Sequence, residues 1–227
     1  MAGPTVDLPF DDFAARFLEA MGPWRPEEGG IELARHAFAV AKKNEVMNLT
    51  RIVEPEAMAV KHALDSLAAL PILLGADDAP VNNVLDLGTG AGYPGLALAL
   101  AMPHLNVTLL DSTRKKVDFL QELVAELGVS DRVQCVWARF EDWIRPHRGR
   151  FDMVLARAVG PLHRLLEWCT HRWYGPLLLW KGPAFLDELE EARTTLARRK
   201  LDVSLDLPYL LPDDPAERRL IVIDWED

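Results

Sequence analysis

Asp86-Leu87-Gly88-Thr89-Gly90-Ala91-Gly92 sets three glycines at alternate positions directly after an apolar run. Glycines let the backbone turn sharply and let a ligand approach it closely. A helix that follows such a loop offers free N–H groups and the positive end of its dipole. This combination suits any nucleotide-like ligand, and dinucleotide dehydrogenases share it. Three acids narrow the choice. Asp86 stands two places before Gly88, where a carboxylate can reach a cationic ammonium and would disfavour a pyrophosphate. Asp111 closes the next apolar run, 19 residues past Gly92, the spacing of a carboxylate that binds both ribose hydroxyls. Glu141 lies in Arg139-Phe140-Glu141-Asp142-Trp143, after the third run, in a loop that borders adenine in this kind of fold. A single aspartate at a strand end also serves as a turn former. Three acids in this order point to S-adenosyl-L-methionine.

The elements that must position these residues follow from apolar periodicity. Helix period runs from Phe10 to Met21, from Ile31 to about Glu45, and from Glu54 to about Leu74 with Pro55 in its first turn. Gly22 to Gly30 and Gly75 to Asn83 read as loops. Strands are expected at Val84–Leu87, Val107–Leu110, Val133–Trp137, Phe151–Ala156 and Leu177–Trp180. Helices fall at Leu96–Ala101, at Arg114–Leu127 with Gly128 as its cap, and at Ala184–Lys200. Two last β runs, Val203–Leu207 and Arg219–Trp225, have no helix between them. A connection through Pro208, Pro212 and Pro215 would let them pair antiparallel. Strands separated by helices imply parallel crossovers. The expected fold is α/β: a doubly wound, mostly parallel sheet over residues 76–227, with a C-terminal antiparallel hairpin. Residues 1–75 form a helical appendage packed on it.

The chain has 227 residues and a net charge of −10, which argues against coating nucleic acid through bulk charge. Cys135 and Cys169 make no Cys-x-x-Cys pair and read as reduced thiols. The beginning of the chain lacks a basic region followed by an apolar run, and the apolar stretch from Gly92 to Met102 is too short to span a bilayer. The expected location is cytoplasmic. The six histidines show no ligand spacing with cysteine or acids, so no metal is expected.

Several short strings carry a resemblance: Asn48-Leu49-Thr50-Arg51; His62-x-x-Asp65-Ser66-Leu67; Asp86 through Gly92-Tyr93-Pro94-Gly95; Asp111-Ser112-x-x-Lys115-Lys116-x-x-Phe119-Leu120; Arg157-Ala158; and Lys181-Gly182. Together, over roughly residues 31 to 182, they resemble the bacterial RsmG family, once called glucose-inhibited division protein B. The resemblance implies the class I methyltransferase fold and methylation of N7 of one guanosine in the 530 loop of 16S rRNA. It implies cofactor contacts at Gly88, Tyr93, Phe140, Glu141 and Arg157. Asp86, Gly90, Gly92 and Asp111 are added from the residues themselves. Its implied partner is 16S rRNA or the 30S subunit; the enzyme is expected to be a monomer.

Guanine N7 carries a lone pair and no proton, so its attack on a methyl group needs alignment rather than a general base. Arg157 and Lys181 end two strands at the edge where ligands bind in such folds. They are the expected catalytic residues, Arg157 orienting cofactor or guanine and Lys181 contacting the base or RNA. A structural ion pair for Arg157 and a solvated Lys181 stay open. His62 and Asp65, three apart, share a helix face. Candidate phosphate contacts are Lys42, Lys43, Arg51, Lys61, Arg114, Lys115, Lys116, Arg145, Arg148 and Arg150. Trp143 is a candidate stacking platform. Three alternatives stand: a small-molecule methyltransferase on the same core, a non-catalytic cofactor-binding RNA scaffold, and a dehydrogenase.

Overall fold

The computed structural model describes residues 4, 6–75, 81–147, 149–168 and 175–226. Arg148 and Cys169, both named above, and His171, one of the six histidines, lie outside them, as does most of the loop from Gly75 to Asn83.

The chain begins with α1 (Phe10–Met21) and α2 (Gly30–Met47). The third helix expected from the sequence is not continuous. It runs as α3 (Pro55–Met58), a π-helical stretch (Ala59–Leu64) and α4 (Asp65–Leu67), then breaks and restarts as α5 (Leu70–Leu73). The break has a covalent cause. In an unbroken helix the ring of Pro71 would clash with the carbonyl of Leu67, and Pro71 lacks the N–H that bonds to it.

Strands and helices then alternate. They are β1 (Asn83–Leu87), α6 (Gly95–Ala101), β2 (Asn106–Asp111), α7 (Arg114–Glu126), β3 (Val133–Trp137), α8 (Phe140–Trp143), β4 (Met153–Arg157), α9 (Leu162–Trp168), β5 (Leu177–Lys181) and α10 (Phe185–Arg199). Gly128, at φ +70°, follows α7 as expected. A hairpin of β6 (Leu201–Leu211) and β7 (Asp214–Trp225) ends the described chain. The hairpin is antiparallel but longer than the sequence suggested. Pro208 and Pro215 sit inside strands rather than in the connection. Neither disrupts a central ladder: Pro208 is on the sheet edge, and Pro215 lies beyond Arg219, the last residue of β7 that pairs with β5.

The seven strands lie in the order β3-β2-β1-β4-β5-β7-β6. β1 to β5 are parallel and β7 runs against β5. Consecutive residues feed opposite faces. Val84, Leu109, Leu155 and Leu178 meet the N-terminal helices, α6 and α7. Leu85, Leu110, Val154 and Leu177 meet α8, α9 and α10. Burial on both faces explains why these strands read as unbroken apolar runs. The strand order reverses between β1 and β4, so a crevice opens at their C-terminal ends.

Gly95, the first residue of α6, shows how tightly the crevice is built. A Cβ there would lie 2.6 Å from Cβ and Oδ2 of Asp86 and 2.7 Å from Leu109. Gly95→Ala is expected to destabilise the protein by about 1–3 kcal/mol, as overpacking does. Denaturant unfolding measures it, and a midpoint equal to that of the unsubstituted protein would refute the close packing.

Candidate functional site

β1 delivers the glycine loop to the crevice. The amides of Gly88 and Thr89 both donate to the Leu110 carbonyl, at 2.8 and 3.1 Å, tying the loop to β2. Gly88 takes φ +69° and faces Val159 beyond β4. Asp111 is nearly buried at the end of β2. Its Oδ2 accepts from Gly90 N–H at 3.1 Å and its Oδ1 from Thr113 N–H at 2.7 Å. A carboxylate has about four acceptor positions, so these two bonds orient Asp111 and leave capacity for a diol.

A cavity of about 310 Å³ lies here. Gly88, Asp111, Phe140, Glu141, Val159 and Trp168 are among its walls. Four sequence-named residues are therefore brought together. Asp86, Gly90, Gly92 and Tyr93 are not among the wall residues. Asp86 is wholly buried behind the loop, where its Oδ2 accepts from Gly95 N–H at 2.8 Å. Tyr93 is a pillar between two histidines, with ring centroids 4.3 Å from His36 and 4.9 Å from His62.

Arg157 and Lys181 line a second cavity, of about 440 Å³, beside the C-terminal ends of β4 and β5. Ile52, Lys61, His62, Asp65 and Tyr209 border it too. Arg157 Nη1 donates to Asp65 Oδ2 at 2.8 Å. Its Nη2 lies 3.1 Å from His62 Nδ1. That ring nitrogen also lies 3.2 Å from the Lys61 carbonyl, and His62 Nε2 lies 2.9 Å from Thr50 Oγ1. Lys181 Nζ donates to Glu188 Oε2 at 2.7 Å, and the same oxygen accepts from Leu162 N–H at 3.0 Å. Both expected catalytic cations are thus ion-paired and also reach the cavity. The turn Ala158-Val159-Gly160 separates the two cavities: Val159 walls the first, Ala158 and Gly160 the second. Ala158 holds φ +57°, a left-handed conformation that costs a side-chain-bearing residue about 1–2 kcal/mol.

Two positioning groups escaped the sequence reading. His36, on α2, is fully buried and donates from Nε2 to the Ala91 carbonyl at 2.8 Å, bracing the glycine loop from below. A lone histidine between Arg35 and Ala37 gave no signal. Tyr209, on β6, donates to Asp65 Oδ1 at 2.7 Å. Trp143, the expected stacking platform, packs on His147 with centroids 3.9 Å apart and lines a cavity with the strand beginnings Asn83 and Asn106. Among the described residues no cluster of histidine, cysteine and acids could hold a metal. No described helix is long and apolar enough to cross a membrane.

Burial sets the ionisation of three groups. It draws His36 down to about 4. Burial and then the Arg157 charge draw His62 down to about 3. Burial pushes Asp86 up to about 6. As pH falls below about 6.5, unfolding lets two histidines take up protons that the fold refuses, so stability is lost. Asp86 acts oppositely: the fold keeps its proton between about pH 4 and 6, and that contribution is lost as pH rises through 6. Two protons outweigh one. From pH 7 to 5 stability is expected to fall by about 2 kcal/mol. Asp86→Asn removes the opposing contribution and should steepen the fall. Thermal unfolding across this range measures both, and a flat profile would contradict the neutral histidines.

A doubly wound sheet ending in an antiparallel strand, with a glycine loop and acidic walls at its switch point, defines a class I methyltransferase. Solved structures share the fold. Mitomycin 7-O-methyltransferase MmcR superposes with a TM-score of 0.54 at 17% identity, covering 96% of this chain and 69% of that one. The B. subtilis M1A22 tRNA methyltransferase TrmK gives 0.52 at 13% identity, covering 74% and 67%. The family model described as rRNA small subunit methyltransferase G matches residues 31–206. A ribosomal RNA small subunit methyltransferase G from Solibacter usitatus is 36% identical over 215 residues, 93% of this chain and 99% of that protein. One from Alteromonas mediterranea is 36% identical over 221 residues, 96% and 97% of the two chains. The chain belongs to the rRNA small subunit methyltransferase G family.

Proposed function

We propose that this protein transfers a methyl group from S-adenosyl-L-methionine to N7 of a guanosine in the 530 loop of 16S rRNA. The observation that carries the reading is the pair of cavities meeting at one turn, Ala158-Val159-Gly160, in a chain of this family. Asp111 and Glu141 would hold the adenosine part of the cofactor in the first cavity, with Gly88 giving backbone clearance and Phe140 an apolar wall. The remaining acceptor capacity of Asp111 fits a ribose diol. When bound, the cofactor supplies an electrophilic methyl group on a sulfonium.

Asp86, Gly90, Gly92 and Tyr93 support that site from behind. The second cavity takes the target base, with Arg157 and Lys181 presenting N–H donors to it. His62 is neutral near pH 7 and engaged at both ring nitrogens, which suits attack by a group with no proton to lose. Asp65 balances the charge of Arg157, so the donors reach the base without an unbalanced cation where positive charge develops. Residues 1–75 act as a helical appendage whose His62–Asp65 segment closes the cleft over the 76–227 core. The enzyme works as a cytoplasmic monomer, without metal, on 16S rRNA or the 30S subunit.

Incubation with labelled cofactor and unmodified 30S subunits, followed by chemical cleavage at 7-methylguanosine, tests the reading. Label at one guanosine of the 530 loop is expected. Absence of label in 16S rRNA would overturn it.

A further inference from the structure

Trp137 ends β3, the edge strand on the cofactor side of the sheet. It is 57% exposed and joins neither hydrophobic cluster. Yet it is fixed in place. Its Nε1–H donates to the Ser112 carbonyl at 3.1 Å, and the Arg114 guanidinium lies 5.2 Å from the ring centroid. A shallow cavity of about 250 Å³ lies against it, walled by Ser112, Trp137, Ala138 and Arg139. Ser112, Ala138 and Arg139 also wall the first cavity of the site. Trp137 therefore stands at the lip of the crevice without being part of its core.

We propose that Trp137 is a stacking platform for an unpaired nucleotide of the substrate RNA, with Arg114 and Arg139 as its phosphate contacts. The inference rests on the RNA-methyltransferase reading above. A net charge of −10 repels a polyanion, so RNA affinity must come from local contacts. Base stacking on an aromatic ring supplies attraction that does not depend on net charge, and a neighbouring arginine adds cation–π and phosphate contacts. The cations are local: Arg114, Lys115 and Lys116 open α7 and Arg139 follows β3. Arg114 also pairs with Asp118 at 3.8 Å and Lys116 with Asp111 at 4.0 Å, exposed or long contacts that a phosphate can replace or share. β3 is three strands from β4, so Trp137 lies roughly 14 Å across the sheet from Arg157. A few unpaired nucleotides span that distance, which places a base near the target on the platform.

The test compares Trp137→Ala, Trp137→Phe and Arg114→Gln with the unsubstituted protein, on unmodified 30S subunits and on naked 16S rRNA. Cofactor affinity is measured in parallel. Trp137→Ala is expected to raise KM for RNA roughly 5- to 100-fold, with kcat and cofactor Kd unchanged. Trp137→Phe should restore most of the loss. Arg114→Gln should lower the salt slope of RNA binding by about one. An unchanged KM for Trp137→Ala would overturn the platform, as would weaker cofactor binding, which would make Trp137 a wall of the cofactor site. A defect on the 30S particle but none on naked rRNA would reassign the surface to a ribosomal protein and also overturn it. If the unsubstituted protein methylates no rRNA, the functional reading fails instead.

Discussion

Asp65→Ala is expected to lower the stability of the protein by about 3–5 kcal/mol, the cost of removing one partner from a buried charge pair. Asp65 is 3% exposed on α4, and contacts from four strands converge on it. Oδ2 accepts from Arg157 on β4 at 2.8 Å. Oδ1 accepts from Tyr209 on β6 at 2.7 Å and lies 3.5 Å from Arg218 Nη1 on β7. Its backbone carbonyl accepts from Trp180 Nε1 on β5 at 2.7 Å, a bond that alanine would keep. The substitution therefore removes the carboxylate alone, leaving Arg157 and the Tyr209 hydroxyl without their partner. Asp65→Asn, which can still accept from one of them, should lose less. The exposed Arg16–Glu56 pair is the control: its distance is as short, at 2.6 Å, but solvent screens it, and Glu56→Ala should change little. Denaturant unfolding of the three variants decides the matter. If Asp65→Ala behaved like Glu56→Ala, the carboxylate would not tie the hairpin and helices to β4.

That convergence on Asp65 also shows where sequence reading stops. His62 and Asp65 were legible as one face of a helix because three residues separate them. The bond from Tyr209 spans 144 residues and crosses the sheet order, so no local pattern encodes it. Placing Tyr209 required the hairpin, and its prolines made the sequence look like a loop. Pro208 is tolerated only because β6 is an edge, which is a property of the assembled sheet.

The glycine loop was legible for the opposite reason: its residues are contiguous, and their spacing states the turn. Asp111, Phe140 and Glu141 followed because parallel crossovers bring successive strand ends to one edge. Asp86 lies on β1, directly before the glycine loop. From sequence it faced a ligand ammonium, whereas in the fold its carboxylate holds the first amide of α6. Strand period gives only the face on which a side chain emerges, and the tight passage of Gly95 settles which partner it meets. α9 went unread although Leu162, Leu165 and Leu166 keep helix spacing, because only seven residues carry the pattern.

Arg157→Lys is expected to reduce methyl transfer about 100-fold, the scale on which a small misplacement at a reacting centre acts. The substitution keeps the positive charge and so keeps a countercharge for Asp65. It loses the planar fork. Arg157 uses that fork to reach Asp65 and His62 at once, at 2.8 and 3.1 Å, while its guanidinium lies 5.7 Å from the Tyr93 ring centroid. A lysine ammonium can meet the carboxylate but has no second planar arm for the imidazole. The donors facing the second cavity would then move with a flexible stem. Stability should fall far less than in Asp65→Ala, because no buried charge is left alone. The two variants thus separate folding from turnover: one removes the anchor, the other leaves the anchor and loosens what it holds. Steady-state methylation of 16S rRNA, with cofactor Kd measured alongside, tests the expectation. Full activity with unchanged cofactor affinity in Arg157→Lys would remove Arg157 from the site and leave it a structural ion pair between β4 and the N-terminal helices.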